Sequence, residues 1–409
     1  MAAHVRRRKP NFIHYSIEIL PKVPHLSASS QIKPDSMYVL TNCTIYTGET
    51  VLTHHAVIVD DNRIDRVVPT DLIPNNLPVY DLQGHDLTAG FVDIQLYGGQ
   101  TGFLVRDLST ESLEDMVNTH QQDGTAAIIP TLYSTSRERI LKAIEVTKAY
   151  IASGKTGVLG LHIEGPFINP EKRGAHSAAQ VRIPTETELE EIIEQSQWML
   201  TLMTIAPEVW PPQLLARLQN SHIQLSMGHT NATYQQAKAF FASGISMATH
   251  LYNAMRPFES REPGVVSAIW DTPTVHASII ADGHHCDAAT IRIAKQLMGD
   301  RLFLISDATL AKIKPQRFVF EDFTANYDGH RLLNDDGKLA GSAITLLDAV
   351  RFCVQTVGLP KEEVFRMAST HPAQVVGVGE HFGKIKAGYT ATFAVLDDLQ
   401  RLVSFYPPC

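Results

Sequence analysis

From Met37 onward the apolar and polar positions follow two successive rhythms. Across 37–89, stretches such as MYVLTNCTIYTG, AVIVDDNRIDRVV and VYDLQGHDLTAG are short, apolar-rich and separated by turn residues. That pattern predicts short β-strands, with Asp61-Asn62 at a hairpin turn. From Phe91 the rhythm changes. Near-continuous apolar runs end in polar, Gly or Pro residues, and a helical pattern usually follows. The runs are FVDIQLYG (91–98), AAIIPTL (126–132), VLGLHIEGP (158–166), LMTIAPE (202–208), IQLSMGHT (223–230), SMATHLYN (246–253), VHASIIADG (275–283) and RLFLISDAT (301–309). Between them, SLEDMVNTHQQ, ERILKAIEVTKAYIA, ETELEEIIEQSQ, QLLARLQ, TYQQAKAFFAS and AATIRIAKQLM repeat apolar residues at helical spacing. Gly124, Gly154, Gly244 and Gly299 fit helix C-caps. The connection through REPGVVSAIWDTP is only weakly helical, and ITLLDAVRFCVQTVG after the last run is a further helix.

Strands apolar on both faces, separated by amphipathic helices, imply a parallel sheet covered by helices. Eight such units favour a closed α/β barrel of the (β/α)8, TIM-like class over an open sheet. The tail FGKIKAGYTATFAVLDDLQRLVSFYPPC is strand-like again. The N- and C-terminal segments are therefore expected to pair into one small β-sandwich. The resulting division is an N-terminal extension over 1–36, sandwich over 37–89, barrel over 90–376 and sandwich again over 377–409.

Composition narrows the class. Hydrophobic residues are 44% of the 409 and charged residues 19%, below the usual quarter or so. That suits a globular enzyme with a large core. Net charge is −8, which carries no electrostatic footprint for nucleic acid. An anionic substrate then needs a local basic pocket. Cys43, Cys286, Cys353 and Cys409 have no metal or redox spacing, as expected of free thiols in a reducing cytoplasm. No run of 18 apolar residues exists, so no membrane span is expected. The opening MAAHVRRRKP is basic but lacks the apolar region of a secretory signal, and reads as a disordered extension.

Polar residues gather where the strands end: Gln95, Glu164, His229, His250, Asp282 with His285, and Asp307. Barrels of this class carry their active sites at that face. Imidazoles and carboxylates converging on one rim are costly to bury without a partner, and a metal ion supplies one. Glu164, His229 and His250 are the expected ligands, three in number as in catalytic zinc sites. Asp307 is left free of ligation, able to take a proton from the attacking water and return it to the leaving nitrogen. One divalent metal per subunit is expected; zinc is the default, and Fe, Mn and Co also fit such ligands.

The motifs FVDIQLYGG, GLHIEGPFINPEKRGAH, MGHTNATYQQA, ATHLYNAM, REPG, IIADGHHCD and LISDAT resemble the N-acetylglucosamine-6-phosphate deacetylase family of the amidohydrolase superfamily. The likeness runs from about Met37 to Leu396 in family order. It implies hydrolysis of a linear amide bond in a small amino-sugar phosphate, yielding glucosamine 6-phosphate and acetate, by a homodimeric enzyme of amino-sugar catabolism. Residue by residue it implies that Ala175 and His176 contact the sugar, His176 also assisting the amide carbonyl. Asn253 and Ala254 contact the ligand, Arg261 and His285 the phosphate, and Leu339, Ala340 and Gly341 line the site. His284 takes a position usually held by an apolar residue and is read as structural. Many amidohydrolases carry an H-x-H pair on the first strand for a second metal. Here the position reads Asp93-Ile94-Gln95, which resembles the single-metal branch, with Gln95 in a supporting place beside the metal or its water.

Three features depart from that family. LAKIKPQRF follows LISDAT in place of a small, Gly-containing stretch; the chain stops at SFYPPC, predicting an incomplete sandwich or an exposed edge; and the first 36 residues have no counterpart. Two alternatives stand beside this reading: an amidohydrolase acting on a different N-acyl sugar or amide, and a superfamily scaffold without activity.

Overall fold

The computed structural model describes residues 37–407 apart from 313, 314 and 322. The extension over 1–36 and the thiol of Cys409 lie outside the described residues.

All eight apolar runs form strands: β1 (Phe91–Leu96), β2 (Thr125–Tyr133), β3 (Gly160–Glu164), β4 (Leu200–Ile205), β5 (Gln224–Met227), β6 (Met247–Ala248), β7 (His276–Ile280) and β8 (Leu302–Ile305). They pair in parallel and in sequence order. A parallel bridge between Leu96 and Ala308 joins the first strand to the segment after the last. The Asp307 N–H donates to the Gln95 carbonyl at 2.9 Å across the same seam. Closure therefore sets the ends of β1 and β8 side by side.

The intervening helices start on side-chain caps. Ser109, Ser136, Thr185 and Asp287 each accept a backbone N–H, and Thr233 with Gln236 completes a capping box. Such caps satisfy amides that a helix start leaves unpaired. In Arg137–Ala152, Ile140, Ala143, Ile144 and Thr147 form the buried stripe. The weakly patterned sixth connection is also a helix, Gly264–Trp270. Its run Val265, Val266, Ala268 and Ile269 is wholly buried; a helix covered on most sides has no polar face to set the rhythm. Leu346–Phe352 continues into a π-helical turn over Cys353–Val357.

The terminal segments build two sheets. One joins Tyr38–Thr41, His55–Asp60, Arg63–Pro69 and Val79–Asp81; the other joins Thr44–Tyr46, Val51–Leu52, Asp86–Ala89, Phe393–Leu396 and Leu402–Tyr406. They share a core of Leu40, Val57 and Val59 against Ile45, Leu87, Phe393 and Val395, which makes a sandwich. Asp60 and Arg63 pair across the expected hairpin, with Asp61 at φ 55°. Leu402–Tyr406 is the outer strand of its sheet.

After β8 the chain forms a small antiparallel sheet the sequence pattern does not announce: Arg317–Phe320, Phe323–Tyr327 and Leu332–Leu333. Its strands are too short for a clear alternation. Phe318 and Phe323 fasten it to Phe103, with ring centroids 4.7 and 6.1 Å apart. Among the described residues no helix is long and apolar enough to cross a membrane, and Cys43, Cys286 and Cys353 are free and buried.

Candidate metal centre and active site

Glu164 ends β3, while His229 and His250 follow β5 and β6 by two residues each. The barrel turns all three inward. His250 Nε2 stands 3.0 Å from Glu164 Oε1 and 3.0 Å from His229 Nε2, and His229 Nε2 is 3.3 Å from the same carboxylate oxygen. The three side chains form one potential ligand group, all buried. His229 Nδ1–H donates to the Lys172 carbonyl at 2.9 Å. That bond fixes the tautomer and leaves Nε2 with its lone pair toward the shared point. Two imidazole nitrogens and a carboxylate oxygen this close, without protons between them to spare, suit a divalent cation. With no cation between them, and although burial opposes it, proton-bearing His229 and His250 rings hold the Glu164 carboxyl well below its usual range.

The backbone is strained where these groups sit. His229, His250, Ala254 and Asp307 have φ of 48°, 37°, 50° and 54°, a region costly for residues with a Cβ. Holding them there aims the side chains across the barrel mouth. Gly174 on the facing loop has φ 59°, a conformation that favours glycine, and its backbone lies alongside the His229 ring.

Asp307 belongs to the same cluster without standing in the ligand group. Gln95 Nε2 donates to Asp307 Oδ1 at 2.8 Å and to Glu164 Oε1 at 2.9 Å, tying the two carboxylates together. Burial, then the neighbouring Glu164 charge, pushes the Asp307 carboxyl well above its usual range. Tyr97 is a residue the sequence reading missed. Its hydroxyl donates to Glu164 Oε2 and reaches Asp307 Oδ1 at 3.3 Å. Two residues beyond Gln95 on the same strand run, it shares Gln95's face, so the two-residue period carried the signal.

His176 is buried beside the cluster, with Nε2 3.7 Å from Glu164 Oε2. The Ser134 N–H donates to His176 Nδ1 at 3.3 Å and the Ser134 hydroxyl lies 2.7 Å from it. Nδ1 is thereby the acceptor and Nε2 carries the proton. Burial, reinforced by His229, pushes the ring down to about 3, so at neutral pH it is a neutral donor. Ser134 was not foreseen either.

Glu164, His229, His250, Asp307, Tyr97 and His176 line a cavity of about 220 Å³, together with Ala175, Asn253, Ala254, His285, Leu339, Ala340 and Gly341, whereas Gln95 and Ser134 stand behind the lining. Asp282 accepts from His285 Nδ1–H at 2.7 Å, leaving His285 Nε2 available. His284 is exposed and outside the lining. Arg261 is also exposed and does not line the cavity of this chain; it sits in the loop before Gly264–Trp270. The wall also holds Phe103, Tyr133, Phe323 and Lys338, none of which a polar strand-end pattern marks. Phe323 and Lys338 come from the segment after β8, whose fold the sequence left open.

With three potential ligands, a separate carboxylate and a neutral imidazole donor around one cavity, the site is equipped for metal-assisted hydrolysis. Comparison with known proteins agrees. Residues 87–407 match the Amidohydrolase family and residues 37–87 the NagA composite domain. An N-acetylglucosamine-6-phosphate deacetylase of Haemophilus influenzae is 36% identical, covering 88% of this chain and 94% of its own. An N-acetylgalactosamine-6-phosphate deacetylase of a Shewanella species is 32% identical over 91% and 95%. Among solved structures, the N-acetylglucosamine-6-phosphate deacetylase of Pasteurella multocida superposes with a TM-score of 0.87 at 34% identity, covering 91% of this chain and 98% of that one. The chain belongs to the amidohydrolase family, in the branch to which the N-acetylglucosamine-6-phosphate deacetylases belong.

Proposed function

We propose that this chain hydrolyses the N-acetyl group of N-acetylglucosamine 6-phosphate, giving glucosamine 6-phosphate and acetate. The observation that carries the reading is the convergence of Glu164, His229 and His250 on one point, with Asp307 held beside them by Gln95. A divalent cation, zinc by the chemistry of the donors, would be held by those three residues and would polarise the amide carbonyl and make water a stronger acid.

The chain's own groups supply the rest. His176 Nε2–H donates to the acetyl carbonyl oxygen and strengthens that bond as negative charge develops there. Its neutrality suits it to a donor that keeps its proton. The side-chain bonds to Asp307 fall on Oδ1, so Oδ2 is the oxygen available for proton transfer. Asp307 takes a proton as water attacks the carbonyl carbon. The raised affinity of this buried carboxyl for a proton lets it hold that proton and then deliver it to nitrogen, so that the amine leaves neutral. Asn253, Ala254, Ala175 and Leu339–Gly341 bound the sugar, and His285 faces its phosphate. In a cytoplasmic homodimer, the family resemblance would have Arg261 contact the phosphate from the partner subunit.

The test is acetate release from N-acetylglucosamine 6-phosphate, compared with the unphosphorylated sugar, with and without a chelator. The reading expects turnover that a chelator abolishes and zinc restores. Metal-independent turnover, or none, removes it. The Shewanella relative's name favours a second reading, the 4-epimeric N-acetylgalactosamine 6-phosphate, and the same assay ranks the two sugars.

A further inference from the structure

The cavity wall contains a cation to which no role has yet been given. Among the described residues lining it, Lys338 is the one lysine or arginine. Its backbone is fixed on both sides: Lys338 N–H donates to Asn334 Oδ1 at 2.9 Å, and its carbonyl accepts from Asn334 N–H at 2.8 Å. The Leu333–Leu339 bridge extends that hold to the small sheet. The two carboxylates just before it are already engaged. Asp335 pairs with Arg317 at 3.0 Å and Asp336 with Arg173 at 3.7 Å. Lys338 itself is exposed and in no ion pair among the described residues, so no described carboxylate holds its ammonium.

A phosphate monoester brings a charge of about −1.5 to −2 at neutral pH into a cavity that already holds Glu164 and Asp307. Among the described residues of one chain nothing else on the wall carries a permanent positive charge to offset it. We infer that Lys338, together with His285, binds the phosphate of the substrate and sets the preference for phosphorylated over plain sugar. The inference rests on the sugar-phosphate reading above and assigns its charge partner to the segment after β8.

Lys338→Gln and Lys338→Arg, assayed on N-acetylglucosamine 6-phosphate and on N-acetylglucosamine, test it. Loss of one charged contact to a phosphate corresponds to about a tenfold loss of affinity. In Lys338→Gln the ratio of kcat/KM for phosphorylated over plain sugar is expected to fall about tenfold, through KM rather than kcat. Inorganic phosphate should become a correspondingly weaker competitive inhibitor, and Lys338→Arg should recover most of the ratio. An unchanged ratio in Lys338→Gln, or an equal loss on both sugars, overturns the inference. A parent enzyme that does not distinguish the two sugars overturns the phosphate reading itself and the inference with it, so the two failures are read from different proteins.

Discussion

Asp307 is a carboxylate whose surroundings favour the proton-bearing form, at hydrogen-bond distance from the glutamine that also holds Glu164. Replacing it by Asn keeps the shape but not the capacity to accept a proton. Asp307→Asn should lower kcat by about 10²–10⁴-fold, with metal content unaltered; near-parental kcat would remove the proton-transfer role. A second consequence at this scale concerns pH. Burial pushes His162 and His371 down to about 4 each. The unfolded chain, with ordinary imidazoles near 6.5, therefore takes up protons first on acidification. The stability these neutral rings confer is complete above about pH 6.5 and is lost as pH falls through about 4. Asp93 works in the reverse sense, because burial pushes its carboxyl up to about 7 and the folded chain then binds that proton first. Asp93→Asn should therefore make the urea midpoint fall more steeply than in the parent between pH 7 and pH 4.5. A shallower fall would contradict the assignment of Asp93 as a carboxyl kept neutral by burial.

The turns that leave the strands set where these side chains sit. Gly98, just past β1, passes close under the turn that carries Asp307. A Cβ there would lie 2.4 Å from the Thr309 carbonyl oxygen and 3.1 Å from that of Gly102. Both are backbone atoms and cannot swing aside. Gly98→Ala should push the 307–309 turn outward, lowering kcat together with Tm, the latter by a few degrees for an overpacking cost of about 1–3 kcal/mol. A variant with parental kcat and Tm would mean the seam between β1 and β8 is looser than its contacts imply. At this scale the sequence was largely legible. Strands buried on both faces declare themselves as apolar runs, and polar residues at their ends stand out, so Glu164, His229, His250 and Asp307 could be named. The Gly264–Trp270 helix was faint because burial on most sides erases its polar face. The sheet over 317–333 was hidden because its strands are short and its hold on the barrel is aromatic, through Phe103. Tyr97 and Ser134 act by hydrogen-bonding to other site residues, a role that residue type alone does not display.

Across the whole molecule, the ligand group connects β3 with the segments following β5 and β6. A cation bound there links three separate strands of the folded barrel and has no equivalent site in the unfolded chain. Removing it should lower Tm as well as activity; saturation at a hundredfold over Kd corresponds to about 2.7 kcal/mol. Differential scanning calorimetry of chelated and zinc-restored protein checks this, and a Tm indifferent to metal would argue against a buried ion held by all three residues. The sandwich was foreseeable from the strand-like pattern of the N- and C-terminal segments, whereas its register was not, since pairing of distant strands leaves no local mark.

That pairing bears on how the molecule is made. Asp86–Ala89 lies beside Phe393–Leu396, so the first of these waits for roughly 300 more residues to leave the ribosome, about 15–60 s at ordinary synthesis rates. Throughout that interval the edge of this nascent strand away from Thr44–Tyr46 presents unmatched amides, and the core around Leu87 lacks Phe393 and Val395. Slow translation or crowded polysomes should thus make this small sheet, rather than the catalytic barrel, the place where aggregation begins.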